Sequence, residues 1–228
     1  MSHADEVYAL LRARIVSFEL PPGSRISERT VAASLGYGLT PVRDALARLE
    51  LERFVESIPR VGTRVTRLGV SDMLEILDNW AVLCAEVYWQ AVGRLTPEQR
   101  REVMALGGRT EQLRAASTPE AGGWTSPVSA AYELLATASG NRRLRDIAMH
   151  AEAEMQRVFA LLDLAPDARQ GLRDVGLPPF PSLDPDRVDE DVASITDFHR
   201  RTRRLILRFA AHWPDPEPRP QIGPSSRD

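Results

Sequence analysis

The sequence predicts a mainly α chain: three short helices closed by a two-stranded hairpin, followed by an all-α bundle. Three observations predict it. Residues 7–49 carry apolar stripes at helical spacing, separated by proline and glycine turns. Residues 54–66 alternate in β-rich fashion around a Pro-Arg-Val-Gly turn. From Ser71 to His212 the pattern is helical, with no strand signal.

Composition bounds the function classes. The chain has 228 residues and is 43% hydrophobic, enough for one or two packed cores. It has no run of about 18 apolar residues, so no membrane span is expected. Met1-Ser2-His3-Ala4-Asp5-Glu6 lacks the basic flank and apolar core of a secretory signal. The single cysteine, Cys84, excludes an internal disulfide framework and fits a reducing compartment, so a cytoplasmic location is expected. The formal net charge of -3 is not that of a chain basic throughout, although a small DNA-touching domain does not need one. Every basic residue is arginine, for which a GC-rich genome is the plainer cause. Arginine also suits phosphate and guanine, because its planar fork bonds bidentately.

The first helix carries Val7, Leu10, Leu11 and Ile15 on one stripe, and Leu20-Pro21-Pro22-Gly23 stops it. Ser27 is the expected N-cap of a second helix with Val31, Ala32 and Leu35. Gly36 ends that helix as a residue free to turn left-handed. Thr40 is then expected to cap a third helix, with Pro41 at its first position. Val42, Ala45, Leu46 and Leu49 form its buried stripe, which leaves Thr40, Arg43, Asp44 and Ala47 outside. A helix start of this kind offers N–H groups to phosphate and an arginine to base edges. Phe54–Ile58 and Thr63–Thr66 are the two expected strands, with Arg60 and Arg64 near the tip of the wing they form. Gly62 lets that backbone approach DNA closely.

The Pro-Gly-x-Arg-Ile-Ser-Glu run from Pro22, the Thr-Pro-Val-Arg-Asp-Ala-Leu run from Thr40 and the Pro-Arg-x-Gly-Thr-x-Val wing from Pro59 resemble the winged helix of GntR-type bacterial repressors. The resemblance covers nearly all of the first domain. It implies dimeric binding to a palindromic operator, with contacts from Arg25, Thr40, Arg43 and Gly62. Arg60, Thr63 and Arg64 complete the expected DNA-binding set on the wing. The family usually has an arginine before the Thr-Pro pair, where this chain has Leu39. Leucine cannot donate to guanine, so the operator is expected to be atypical; one lost bidentate pair is worth about 1–3 kcal/mol of discrimination.

In the second domain, Ser71 is the expected cap of a helix holding Met73, Ile76, Leu77, Trp80, Leu83, Cys84 and Val87. Thr96-Pro97 opens another, with Val103, Leu106 and Leu113 as its apolar face. Residues 117–127 read as a loop, Val128–Ser139 and Leu144–Leu164 as helices, 165–190 as a long Pro- and Asp-rich excursion, and Val188–His212 as the last helix. The tail from Pro214 reads as disordered.

The Leu-Gly-Val-Ser-Asp-Met-Leu-Glu-Ile run from Leu68, the Ala-Thr-Ala-Ser-Gly-Asn run at 136–141 and Phe198-His199 make this domain similar to the ligand-sensing domain of the FadR-like branch of that family. The resemblance implies a bundle that in many members holds a divalent metal on one Asp and three His, beside a carboxylate effector. Matched position by position, the Asp is here Ser129 and the first His is Glu133, while His199 matches the second. His212 lies 13 residues after His199. On one helix that is a rotation of about 220° beyond whole turns, so the two do not face one site. Glu133 and His199 remain as candidate ligands for a divalent metal such as zinc, fewer than the three a tight site needs. Glu133 also reads as a buried polar residue paired with an arginine or His199. Trp80 and Cys84 stand where the family commonly has an arginine and a glutamate.

The expected effector pocket therefore comprises Trp80, Cys84, Ser129, Glu133 and His199, and it suits an apolar or larger effector, or none, better than a small carboxylate on a metal.

The sequence thus predicts a winged helix-turn-helix over residues 1–67, an all-helical effector-binding and dimerisation domain over 68–213, and a disordered tail over 214–228. The expected partners are operator DNA, a second copy of the chain and a small-molecule effector. A regulator without an effector is the first alternative. A metal-dependent enzyme on the bundle is the second, resting on Glu133 and His199 alone, with no phosphate loop or nucleophile elbow to support it.

Overall fold

A computed structural model describes residues 2–115, 125–176 and 182–210. Residues 117–124 of the loop expected at 117–127, His212 and the tail lie outside them, while Thr125 to Pro127, expected in that loop, are helical. Helix α1 (His3–Val16) opens on a capping box: Ser2 Oγ accepts from the Asp5 amide at 3.2 Å, and Asp5 accepts from the Ser2 amide at 3.0 Å. Strand β1 (Arg25–Ile26) follows, then α2 (Glu28–Leu35), capped by Ser27 and ended by Gly36 at φ 69°. Helix α3 (Leu39–Leu51) starts one residue before Thr40, with Gly38 as its N-cap. Thr40 is thus a first-turn residue rather than the cap. Pro41 fits there because the first N–H groups of a helix have no partner within it.

Strands β2 (Val55–Ile58) and β3 (Gly62–Val65) form the wing. The sheet has three strands rather than two, in the order β1-β3-β2, all antiparallel. Val7, Leu11, Ile15, Val42, Leu46, Leu49 and Phe54 seal the core of this head.

Helix α4 (Val70–Ala91) has Gly69 as its N-cap, whose amide donates to Asp72 in the first turn at 2.9 Å; Ser71, the expected cap, lies inside that turn. Helices α5 (Pro97–Ala115), α6 (Thr125–Ala138) and α7 (Arg142–Leu164) follow, and the Asn141 side chain caps α7. The expected excursion contains helix α8 (Pro166–Val175) and a short 3-10 turn at Pro185–Arg187. Ala168, Leu172 and Val175 pin α8 to the bundle core. Helix α9 (Val188–Phe209) runs back along α4. Trp80, Met155, Phe159, Phe198 and Leu205 centre one core of the bundle, and Val87, Tyr88, Ala131, Tyr132 and Ile195 centre a second.

Candidate nucleic-acid interface and buried polar cluster

The start of α3 is two-sided. Val42, Ala45, Leu46 and Leu49 are buried, while Thr40, Arg43, Asp44 and Ala47 face solvent. Arg43 Nε donates to Glu28 Oε2 at 2.8 Å, so α2 steadies the guanidinium from below. Leu39 is half-buried against the head core instead of standing out beside Thr40.

The wing tip is Pro59–Val61. Arg60 is exposed there with φ 66°, and Gly62 follows at φ 101°. Thr63 pairs with Ser57 and Ile26 and is half-buried. Arg64 is not at the tip. It lies in β3 opposite both Arg25 and Glu56, and its Nε donates to Glu56 at 2.9 Å. Arg25 is exposed on β1. Arg25, Thr40, Arg43 and Arg60 are thus all exposed, while Thr63 and Arg64 are partly covered.

In the bundle the acid buried beside Trp80 and Ser129 is Glu152 on α7, not Glu133. Glu133 is exposed on α6, whereas Ser129, one turn earlier, and Tyr132 turn inward. Glu152 is only 3% exposed. It accepts from Trp80 Nε1 at 2.6 Å and from Ser129 Oγ at 3.0 Å. Gln156 also bonds to Ser129 Oγ. Burial pushes the Glu152 carboxyl up to about 7, against the lowering pull of Trp80, Ser129 and Gln156. Cys84 packs beside this cluster, and burial, then the Glu152 charge, pushes its thiol up, so it is a poor redox group. The Tyr132 hydroxyl is buried with no hydrogen-bond partner among the described residues.

His199 belongs elsewhere. Its Nε2 lies 2.7 Å from Asp78 Oδ1 on α4, and Asp78 also holds Arg203 at 2.9 Å. Among the described residues no three His, Cys, Asp or Glu side chains converge to hold a metal. With Glu133 exposed and His199 taken by Asp78, the residues present do not fit a divalent ion. Of the expected pocket residues, Trp80, Cys84 and Ser129 come together; Glu133 and His199 do not join them. Sequence reading missed Glu152, although a carboxylate on the α7 stripe of Ala148, Ala151, Met155 and Phe159 was the available signal.

Helix α7 also holds the head. Arg157, fully buried, donates from Nη2 to the Thr66 carbonyl at 2.7 Å and lies 5.4 Å from the Phe54 ring centre. His150 meets Phe54 edge-on at 5.5 Å, and Ala153 is part of the head core. Burial lowers the Arg157 guanidinium to about 10, opposed by Glu154 and Asp72.

Comparison with known proteins bears first on the head. Residues 3–65 match the family model described as bacterial regulatory proteins, gntR family. An HTH-type transcriptional regulator in an unstable DNA locus of Streptomyces ambofaciens is 40% identical over 63 residues, 28% of this chain and 27% of that protein. The HTH-type transcriptional repressor GlaR of Escherichia coli (strain K12) is 26% identical over 113 residues, 50% of this chain and 51% of GlaR. The chain therefore spans about a quarter of one relative and half of the other. The crystal structure of a GntR regulator from Rhodococcus sp. RHA1 superposes with a TM-score of 0.71 at 17% identity, covering 91% of this chain and 99% of that one. At that identity the likeness is one of fold. These relatives are regulators, not enzymes.

Proposed function

We propose that this chain, a DNA-binding transcriptional regulator with a GntR-type head over residues 3–65, is a cytoplasmic repressor that grips a palindromic operator as a homodimer and answers to a small molecule in its helical domain. The observation that carries the reading is the two-sided start of α3: Thr40 and Arg43 stand exposed above a stripe sealed into the head core. In this reading α3 enters the major groove, Arg43 and Thr40 reach base edges, and Arg25, Arg60, Gly62, Thr63 and Arg64 engage the backbone. Leu39 offers no donor, so the base read by the family's arginine is not read here.

The head is taken as residues 1–67, the FadR-like sensor as 68–213 and the tail as 214–228. The effector would bind beside Trp80, Cys84, Ser129 and Glu152. A buried carboxylate as anchor suits a molecule presenting a hydrogen-bond donor or a cation, rather than a carboxylate on a metal. What supports coupling is α7 itself, which carries Glu152 into the cluster and Ala153 and Arg157 into the head. A shift of that helix would tilt the head, and a dimer must match half-sites about 34–36 Å apart.

Selection from a random duplex pool tests the reading. Enrichment of two inverted half-sites is expected, and no enrichment over the starting pool would contradict it.

A further inference from the structure

A polar cleft of about 330 Å³ lies in the seam between the head and the bundle. Four carboxylates line it: Glu52 just after α3, Asp72 and Glu75 from α4, and Glu154 from α7. Glu52 is held by the Tyr8 hydroxyl, and Asp72 accepts from the Gly69 amide. Glu154 meets His150 at 3.5 Å, and the exposed Glu75 side chain has no partner among the described residues. Burial pushes the Glu154 carboxyl up, against the pull of His150, Arg157 and Arg53. Arg53 and His150 share the wall, and Arg157 adjoins it through the Thr66 carbonyl without lining it. With His150 neutral, the acids exceed the two arginines by two charges.

Thr66 points independently to a ligand. It lines the cleft at 9% exposure, and its Oγ1 is buried with no hydrogen-bond partner among the described residues. Buried hydroxyls are ordinarily paired, so this wall keeps an unmet polar contact. Among the described residues no three His, Cys, Asp or Glu side chains converge to hold a metal, which favours a cation that brings its own N–H donors. An ammonium group has three donors and no acceptor, and so suits a hydroxyl oxygen flanked by carboxylates.

We infer that this cleft binds a small aliphatic diamine in its doubly protonated form, on Thr66 Oγ1 and the carboxylates of Glu75 and Glu154. Two ammonium groups match the excess of two negative charges. None of the residues assigned above to the effector lines this cleft, so the inference stands apart from that reading. Because Glu52 and Arg53 belong to the head and Glu75 and Glu154 to the bundle, a bound diamine would tie the two together.

Isothermal titration of the full chain with cadaverine, at neutral pH and fixed ionic strength, tests the inference. Saturable binding at one site per chain is expected, with none for the uncharged pentanediol. Glu75→Gln, at an exposed position, should weaken binding about tenfold, and Thr66→Val at least about threefold. Without amine, Thr66→Val should melt no lower than wild type, because the hydroxyl it removes is unpaired. Lower melting there would show the hydroxyl to be already satisfied and would overturn the site. So would the lack of saturable binding, undiminished affinity in both variants, or magnesium binding as tightly as cadaverine, the mark of a diffuse acidic surface.

Discussion

Trp80 Nε1 donates to Glu152 Oε2 at 2.6 Å in the interior of the helical domain, joining the helix that follows the head to the helix that supports it. The bond ties a large apolar side chain to a carboxylate that has lost most of its water. Ser129 gives the acid a second donor from α6. Three helices are thus fixed at one charged group, and substitutions there report on the bundle as a whole.

The first prediction concerns pH. Burial raises Glu152 from 4.5 to about 7, so the folded chain holds this proton more tightly than the unfolded chain does. The stabilisation is fully present below the unfolded value and is lost as pH rises through the folded one. The loss is about 3 kcal/mol. Glu152→Gln has no such proton. Urea unfolding of both proteins, at acid pH and at about pH 8, should show wild type losing roughly that much relative to the variant. Parallel pH dependences would contradict the burial of a titrating acid.

The second concerns the junction. Arg157→Ala removes the bond to the Thr66 carbonyl and opens space under Phe54. Its expected cost is about 2–4 kcal/mol, read as a lower urea midpoint at unchanged slope. A loss below about 0.5 kcal/mol would mean that the head is not held there.

The third concerns the turn between α2 and α3. Gly36 has φ 69°, and a Cβ built on it meets nothing within 4 Å. Gly36→Ala should therefore cost about 1 kcal/mol from backbone strain alone, and Gly36→Asn less. Thermal melting would expose an error if Ala and Asn behaved alike.

The head was largely legible in the sequence, because its signals are local. Apolar stripes, Ser27, Gly36 and the wing turn each act within a few residues. Strand β1 was not legible, since two residues are too few to show alternation and Arg25–Ile26 is a strand only because β3 lies beside it. Helix α8 was hidden by its proline- and aspartate-rich surroundings, although Ala168, Leu172 and Val175 keep helical spacing. The buried polar cluster was half legible. Trp80, Cys84 and Ser129 do come together, but the acid they surround is reached from 72 and 23 residues away in sequence. Periodicity places Glu152 on a buried stripe without naming its partners. Glu133 drew attention only through its position in the family's motif, and the turn of α6 puts it in solvent.

The most direct test of the central claim is the affinity of Arg43→Ala for a selected operator duplex, measured by fluorescence anisotropy at fixed salt. Arg43 is exposed and its pair with Glu28 is a surface one, so the variant should melt within about 1 kcal/mol of wild type. Its operator affinity should nonetheless fall at least about tenfold, the scale of one lost base contact. Wild-type affinity in a folded Arg43→Ala protein would contradict the assignment of α3 as the reading helix.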